Sequence, residues 1–138
     1  MEKKENNIIS KKQKNGILLI QKLLEAMHKD IKELMDYQNL GVSAQKIKTK
    51  SVRISKIAIA LQKSLDIEGG GEVASNLDHL YKHIRFAVAR VIDENDFSYL
   101  NSAEKVTAEI NEGWSKISFA AALPPMLVAI FLIVLLES

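Results

Sequence analysis

The chain has no cysteine. Disulfide staples, thiol catalysis and thiolate metal sites are therefore excluded, and a reducing compartment is compatible. Proline occurs twice, as the adjacent pair Pro124 and Pro125. The six glycines are sparse, and three of them are consecutive, Gly69 to Gly71. An excess of one charge is also missing. Nineteen basic residues meet seventeen acidic ones for a net charge of +2, too small to imply nucleic-acid binding. The opening MEKKENNIISKKQKNG is polar and charged, so it supplies no apolar region for a secretory signal. Long stretches free of helix breakers within 138 residues point to one all-α domain, large enough to bury its own core.

What is present is helical periodicity. A first helix is predicted from Gly16 to Gln38. Ile20, Leu23, Met27, Ile31 and Leu34 share its face, Asn15 is a candidate N-cap, and Gly41 closes the segment. A second, from Ser43 to Leu65, carries Ile47, Ser51, Ile54, Ala58, Leu61 and Leu65 inward. Its other side shows Lys46, Lys48, Lys50, Arg53, Lys56 and Lys63, with no acid before Asp66. A third, from Gly71 to Asp93, has the stripe Val73, Leu77, Leu80, Ile84, Val88 and Val91 with Tyr81 beside it, and Glu72 favourably placed at its positive end. A fourth, from Ser98 to Leu123, carries Tyr99, Ala103, Val106, Ile110, Trp114 and Ile117, with Asp96 or Ser98 as cap and an acidic face of Glu104, Glu109 and Glu112. The loops are short, which favours antiparallel neighbours. The expected fold is an all-α antiparallel four-helix bundle, with a fifth C-terminal hydrophobic helix as an open addition. The domain reading is a mobile basic arm over 1–15, a bundle over 16–117 and a hydrophobic tail over 118–138.

Catalytic chemistry finds little support. His79 and His83 share a helix face, but HLYKH lacks the zincin glutamate, and two ligands rarely hold a metal. No serine sits in a G-x-S-x-G elbow, and no carboxylate pair lies in apolar surroundings that would separate its pKa values. EGGGE resembles a phosphate loop only in composition. A helix precedes it, and Glu72 would repel phosphate, so it reads as a glycine cap on the second helix followed by a tight link. The basic face of the second helix has no interleaved aromatics. It reads as a solvated face partly neutralised by the acids of the fourth helix. Tyr81 and Trp114 read as core, or as the edge of a groove that takes another helix. No enzyme, metal or cofactor is called for.

The segment LQKSLDIEGGGEVASNLDHLYKHI carries more than a turn. Leu61, Leu65, Asp66, Glu68, Gly70, Gly71, Glu72, Ala74, Asn76, Leu77, Leu80 and Tyr81, followed by Asn95, Asp96, Leu100 and Trp114, resemble the pattern of the flagellin-specific export chaperone family, FliS. The resemblance covers roughly residues 45 to 117. It implies a cytoplasmic export chaperone that holds the C-terminal region of flagellin and prevents premature polymerisation, with the export machinery as a further partner and no nucleic acid. Helix-in-groove binding would then use apolar positions at the helix margins: Ile57, Leu61, Tyr81, Val88 and Ile92. Two features depart from the family. The N-terminal NNIISKKQKNGILLIQKLLEAM lacks the family's tyrosines and proline, which places the client contacts of that arm in question. The tail is uncharged from Ile117 to Leu136, about 30 Å if helical, and is interrupted by the two prolines. It stands open as a membrane anchor, as a fifth helix filling the client groove in cis, or as a gene-level replacement of a polar end. The competing reading of the whole is a membrane-tethered helical-bundle interaction protein with no flagellin client.

Overall fold

The computed structural model describes residues 11–120, and side-chain surroundings within 15–116. Four helices follow in order: α1 (Lys11–Leu40), α2 (Ala44–Lys63), α3 (Ile67–Glu94) and α4 (Leu100–Ala120). They form a four-helix bundle in which α1 packs on α2 and α4, and α3 closes the ring against the same two helices. Cross-helix pairs show each neighbour running antiparallel. Gln21 meets Ser115 while His28 meets Glu104, and Tyr37 meets Lys46 while Asp30 meets Arg53.

The core is built from the predicted stripes. Met27, Ile31 and Leu34 of α1, Ile54, Ala58 and Leu61 of α2, Ile84, Val88 and Val91 of α3, and Leu100, Ala103 and Ile110 of α4 are buried together. Each large member stabilises the fold by roughly 1.5–3 kcal/mol through apolar area removed from water. Two hydroxyls lie among them with their hydrogen bonds satisfied, because each donates to a carbonyl one turn back: Ser51 to Ile47 at 2.8 Å and Thr107 to Ala103 at 2.7 Å.

Several expectations are corrected. α1 begins at Lys11 rather than Gly16, so Asn15 lies inside the helix and is no cap, and Lys11–Asn15 belong to α1 rather than to an arm. Leu24, adjacent to the predicted stripe, is fully buried, whereas Leu23 is only half-buried. A 3.6-residue period drifts across a strict 3-4 pattern over several turns. α2 ends on Ser64 in right-handed geometry, so no glycine caps it. The glycines sit instead in the start of α3. Asp66 caps that start by accepting from the Gly69 amide at 2.9 Å, and the helix breaks at Gly71 (φ 54°, ψ −132°) before resuming. Val73, placed on the stripe by extrapolation, lies just past this break and is 42% exposed. Tyr99 is 38% exposed, and Leu100 takes the inward position at the head of α4. Ser43 does cap α2, accepting from the Lys46 amide at 3.2 Å, and Gly41 is left-handed (φ 63°) as expected.

The cations of α2 meet a different partner from the one expected. Lys50 reaches back to α1, with Nζ 2.7 Å from Glu33 Oε2 and 3.4 Å from Asp30 Oδ1. Arg53 Nε stands 3.0 Å from Asp30 Oδ2 but off the hydrogen-bonding direction, so that contact is an ion pair only. Asp30 is 3% exposed. The hydrogen bond between Lys50 and Glu33 lowers the Glu33 pKa and raises that of Lys50. Antiparallel packing of α1 on α2 brings these acids beside the lysines, whereas in the ring α4 has α1 and α3 as neighbours.

Among the described residues no helix is long and apolar enough to cross a membrane. Residues 121–138, on which the anchor and fifth-helix readings fall, and residues 1–10 of the expected arm lie outside the described residues.

Two stability measurements follow. Gly71→Ala should lower stability by about 1–3 kcal/mol, because only glycine adopts this backbone conformation without strain. Chemical denaturation at neutral pH reads it, and an unchanged midpoint would show that the break is not strained. Asp30→Ala should cost on the order of 2 kcal/mol, less than the roughly 3–5 kcal/mol of a fully buried pair, since Glu33 still holds Lys50. A double-mutant cycle with Lys50→Met should then show coupling, and additive losses would refute the clamp.

Candidate partner-binding groove

Between α2 and α3 the bundle surface opens into a groove of about 480 Å³, lined by Val42, Ile47, Lys48, Val91, Ile92 and Asn95 among others. Its position follows from both helices. Ile47 and Val91 are the last inward residues at this end of the bundle, and Ile92, one position further round α3, is left 37% exposed above them. Small side chains at Ala44 and Ala89, both exposed, keep the flanking walls low. A second hollow of about 370 Å³ runs along the outer face of α2, over Val52, Lys56 and again Lys48.

The five residues expected to face a partner do not converge. Ile92 lines the groove. Leu61 and Val88 are fully buried and Tyr81 is 1% exposed, so these three fill the core instead of standing at a margin. Ile57 is half-buried one turn from Arg53 and two from Lys50, in the row that reaches α1, and so lies on the opposite edge of α2 from the groove. Burial pushes the Tyr81 hydroxyl up to about 12, and the Trp114 indole, donating to it, opposes that shift.

The groove ends at the turn from α3 to α4, whose geometry is held tightly. Asn95 is left-handed (φ 53°), and its amide donates to the Val91 carbonyl at 3.1 Å, the left-handed helix cap, while the Asp96 amide donates to that of Arg90 at 3.1 Å. Asp96 Oδ1 accepts from the Ser98 amide at 2.9 Å and from the Ser98 hydroxyl at 2.6 Å. Its other oxygen takes Arg90 Nη2 at 3.0 Å. Those Ser98 bonds first, and the Arg90 bond next, hold its pKa down at about 2. Beyond the turn, on the α4 side, Phe86 and Tyr99 pack edge to face at 5.0 Å with Arg90 over the Tyr99 ring. This exposed aromatic pair was not anticipated. Phe86 lies off its stripe and the sequence spacing places Tyr99 inward, so only the start of α4 at Leu100 brings the two rings together.

The two histidines of α3 remain separate from any acid cluster. His83 Nε2 is 2.9 Å from Ser102 Oγ, and His79 is exposed. Among the described residues no group of three or more His, Asp or Glu side chains could hold a metal ion. His28, solitary in the sequence of α1, meets Glu104 of α4 at 3.0 Å and ties those helices together.

A family model described as flagellar protein FliS matches residues 2–121. The flagellar secretion chaperone FliSB of Pseudomonas aeruginosa is 35% identical over 81 residues, covering 56% of this chain and 64% of that one. The flagellar secretion chaperone FliS of Vibrio cholerae is 32% identical over 74 residues, 51% of this chain and 54% of that one. That of Salmonella typhimurium is 28% identical over 100 residues, 72% and 74% of the two chains. The chain thus spans less than two thirds of the length of the first two relatives. No solved structure matches.

The turn carries a pH signature. Asp96 has a folded pKa of about 2 against an ordinary 3.8, so its contribution is present above the ordinary value and is lost as pH falls through about 2. The melting-temperature gap between the wild type and Asp96→Asn should be full near neutral pH and narrow steadily below the ordinary carboxylate value. A gap that stays constant into strong acid would refute the assignment.

Proposed function

This chain belongs to the FliS family of flagellar proteins, and on that premise we propose that it is a flagellar secretion chaperone whose client is the C-terminal segment of flagellin. The role is one of binding, with no reaction catalysed. The observation that carries this reading is the half-open α2–α3 groove, where Ile92 stands exposed above an apolar floor. A helix is about 10 Å across with its side chains, and a groove of this kind accepts one laid along it, with client apolar residues at i, i+3 and i+4 as anchors. A disorder-prone client segment gains order only on binding, so its affinity per unit area is low while the surface it can wrap is large. Held as helices against the bundle, the segment is unavailable for packing into a filament before export. This activity is cytoplasmic, upstream of secretion.

Ile57 and Ile92 remain the two surface-accessible members of the expected contact set, but they serve different edges of α2. The reading therefore places the first client helix at Ile92, with Ile47 and Val91 beneath it. Val88 lies buried one turn before Ile92, whereas Leu61 and Tyr81 belong to the core further along the bundle.

Ile92→Asp should weaken capture of the flagellin C-terminal segment about tenfold or more, as expected for a central apolar anchor. Phe86→Asp, at a more exposed position on the α4 side, should leave capture unchanged. Isothermal titration with both variants, after circular dichroism confirms folding, measures this. Full binding by Ile92→Asp together with loss in Phe86→Asp would move the site to the aromatic pair.

A further inference from the structure

α2 is electrostatically one-sided. Between Ala44 and Lys63 it carries six basic residues and no acid. Lys50 and Arg53 are neutralised by Asp30 and Glu33 of α1, and Lys46 lies 5.5 Å from the centre of the Tyr37 ring. Lys48 and Lys56 point away from α1 and meet no carboxylate among the described residues. Lys48 stands where the two hollows join, and Lys56 lines the second. Further along the α2–α3 seam, about four turns from Ile92, the carboxylate of Asp78 is already held by Lys82 at 2.9 Å and by the Gln62 amide at 2.9 Å. Arg85, exposed on the same side of α3, donates only to the neutral oxygen of Gln62 at 2.7 Å. The α2 side of the groove is therefore positive, and Arg85 continues that charge on α3 about two turns from Ile92, although the whole chain is nearly neutral.

We infer that the α2–α3 groove selects an amphipathic helix whose apolar strip is flanked by Asp and Glu. This rests on the groove being the client site and specifies which client helices it accepts. The apolar floor provides contact without charge preference. The rim then discriminates, because a basic flank would be set against Lys48, Lys56 and Arg85 while an acidic flank pairs with them. Nucleic acid fits less well, since neither hollow is lined by an aromatic side chain on which a base could stack. A membrane surface fits less well too, because the apolar residues lie in a concavity rather than on a ridge.

The test uses two fluorescent peptides with the same leucine strip, one flanked by Glu and one by Lys, titrated with the full chain and read by anisotropy. The wild type should prefer the Glu-flanked peptide by about tenfold or more. That preference should shrink between low salt and several times physiological salt, because the rim charges are exposed. The triple variant Lys48→Glu, Lys56→Glu, Arg85→Glu should reverse it. Equal affinity for both peptides, or a preference that survives the triple variant, overturns the inference. Tighter binding of the wild type to phosphatidylserine vesicles or single-stranded DNA than to the Glu-flanked peptide overturns it as well. The flagellin segment separates the two levels. If the triple variant binds it unchanged while Ile92→Asp does not, the chaperone reading stands and charge selection fails. If the Glu-flanked peptide binds with reversal in the triple variant while the flagellin segment does not bind, charge selection stands and the flagellin reading fails.

Discussion

Asp30 is a carboxylate almost sealed from water, held between Lys50 and Arg53 on the neighbouring helix. A charge in that position is strongly unfavourable without its cations, so the register of α1 against α2 is set by where those two side chains reach. Once α2 is docked with the Lys50–Arg53–Ile57 row toward α1, its opposite edge, with Ala44 and Lys48, borders the groove against α3. The groove is a consequence of that orientation. So is its charge: the cations turned toward α1 are neutralised, and those left on the outer surface give the rim its sign.

The two corners of α3 provide the second layer of order. At its start, Asp66 caps the first turn and Gly71 breaks the helix in a conformation closed to other residues. At its end, Asn95 turns left-handed and Asp96 locks the following residues. These corners set the length and exit angles of α3, and therefore where Ile92 emerges beside α2. Asp66, Gly71, Asn95 and Asp96 are also among the residues that resemble the FliS pattern. The resemblance is thus carried partly by core positions such as Tyr81 and Leu77 and partly by residues with backbone tasks. It carries little information about the outer surface of α2, where a client would be discriminated.

Much of the fold was legible along the chain. The 3.6-residue stripes identified four helices and most of the core, and Ser43 and Gly41 were found from their capping chemistry alone. The misses share a cause. Leu24 and Val73 depart from their stripes because helical phase drifts at the first and the backbone breaks just before the second. Ile92 lies off its stripe, which is why it stands exposed beside the α2–α3 hollow. Leu61, Tyr81 and Val88 were not separable from margin residues, since a large apolar side chain looks the same in sequence whether it faces a core or a partner.

The sequence by itself determined the four described helices, most of their inward residues, the capping of α2 and the family resemblance, because each depends on spacing or on residue types at neighbouring positions. Only the tertiary structure decided that Asp30 and Glu33, rather than the acids of α4, neutralise α2, that Ile57 and Ile92 belong to different edges, and that His28 meets Glu104. Those facts depend on which helices become neighbours and at what rotation. Packing sets both, through contacts between residues separated by tens of positions, and no local pattern encodes them.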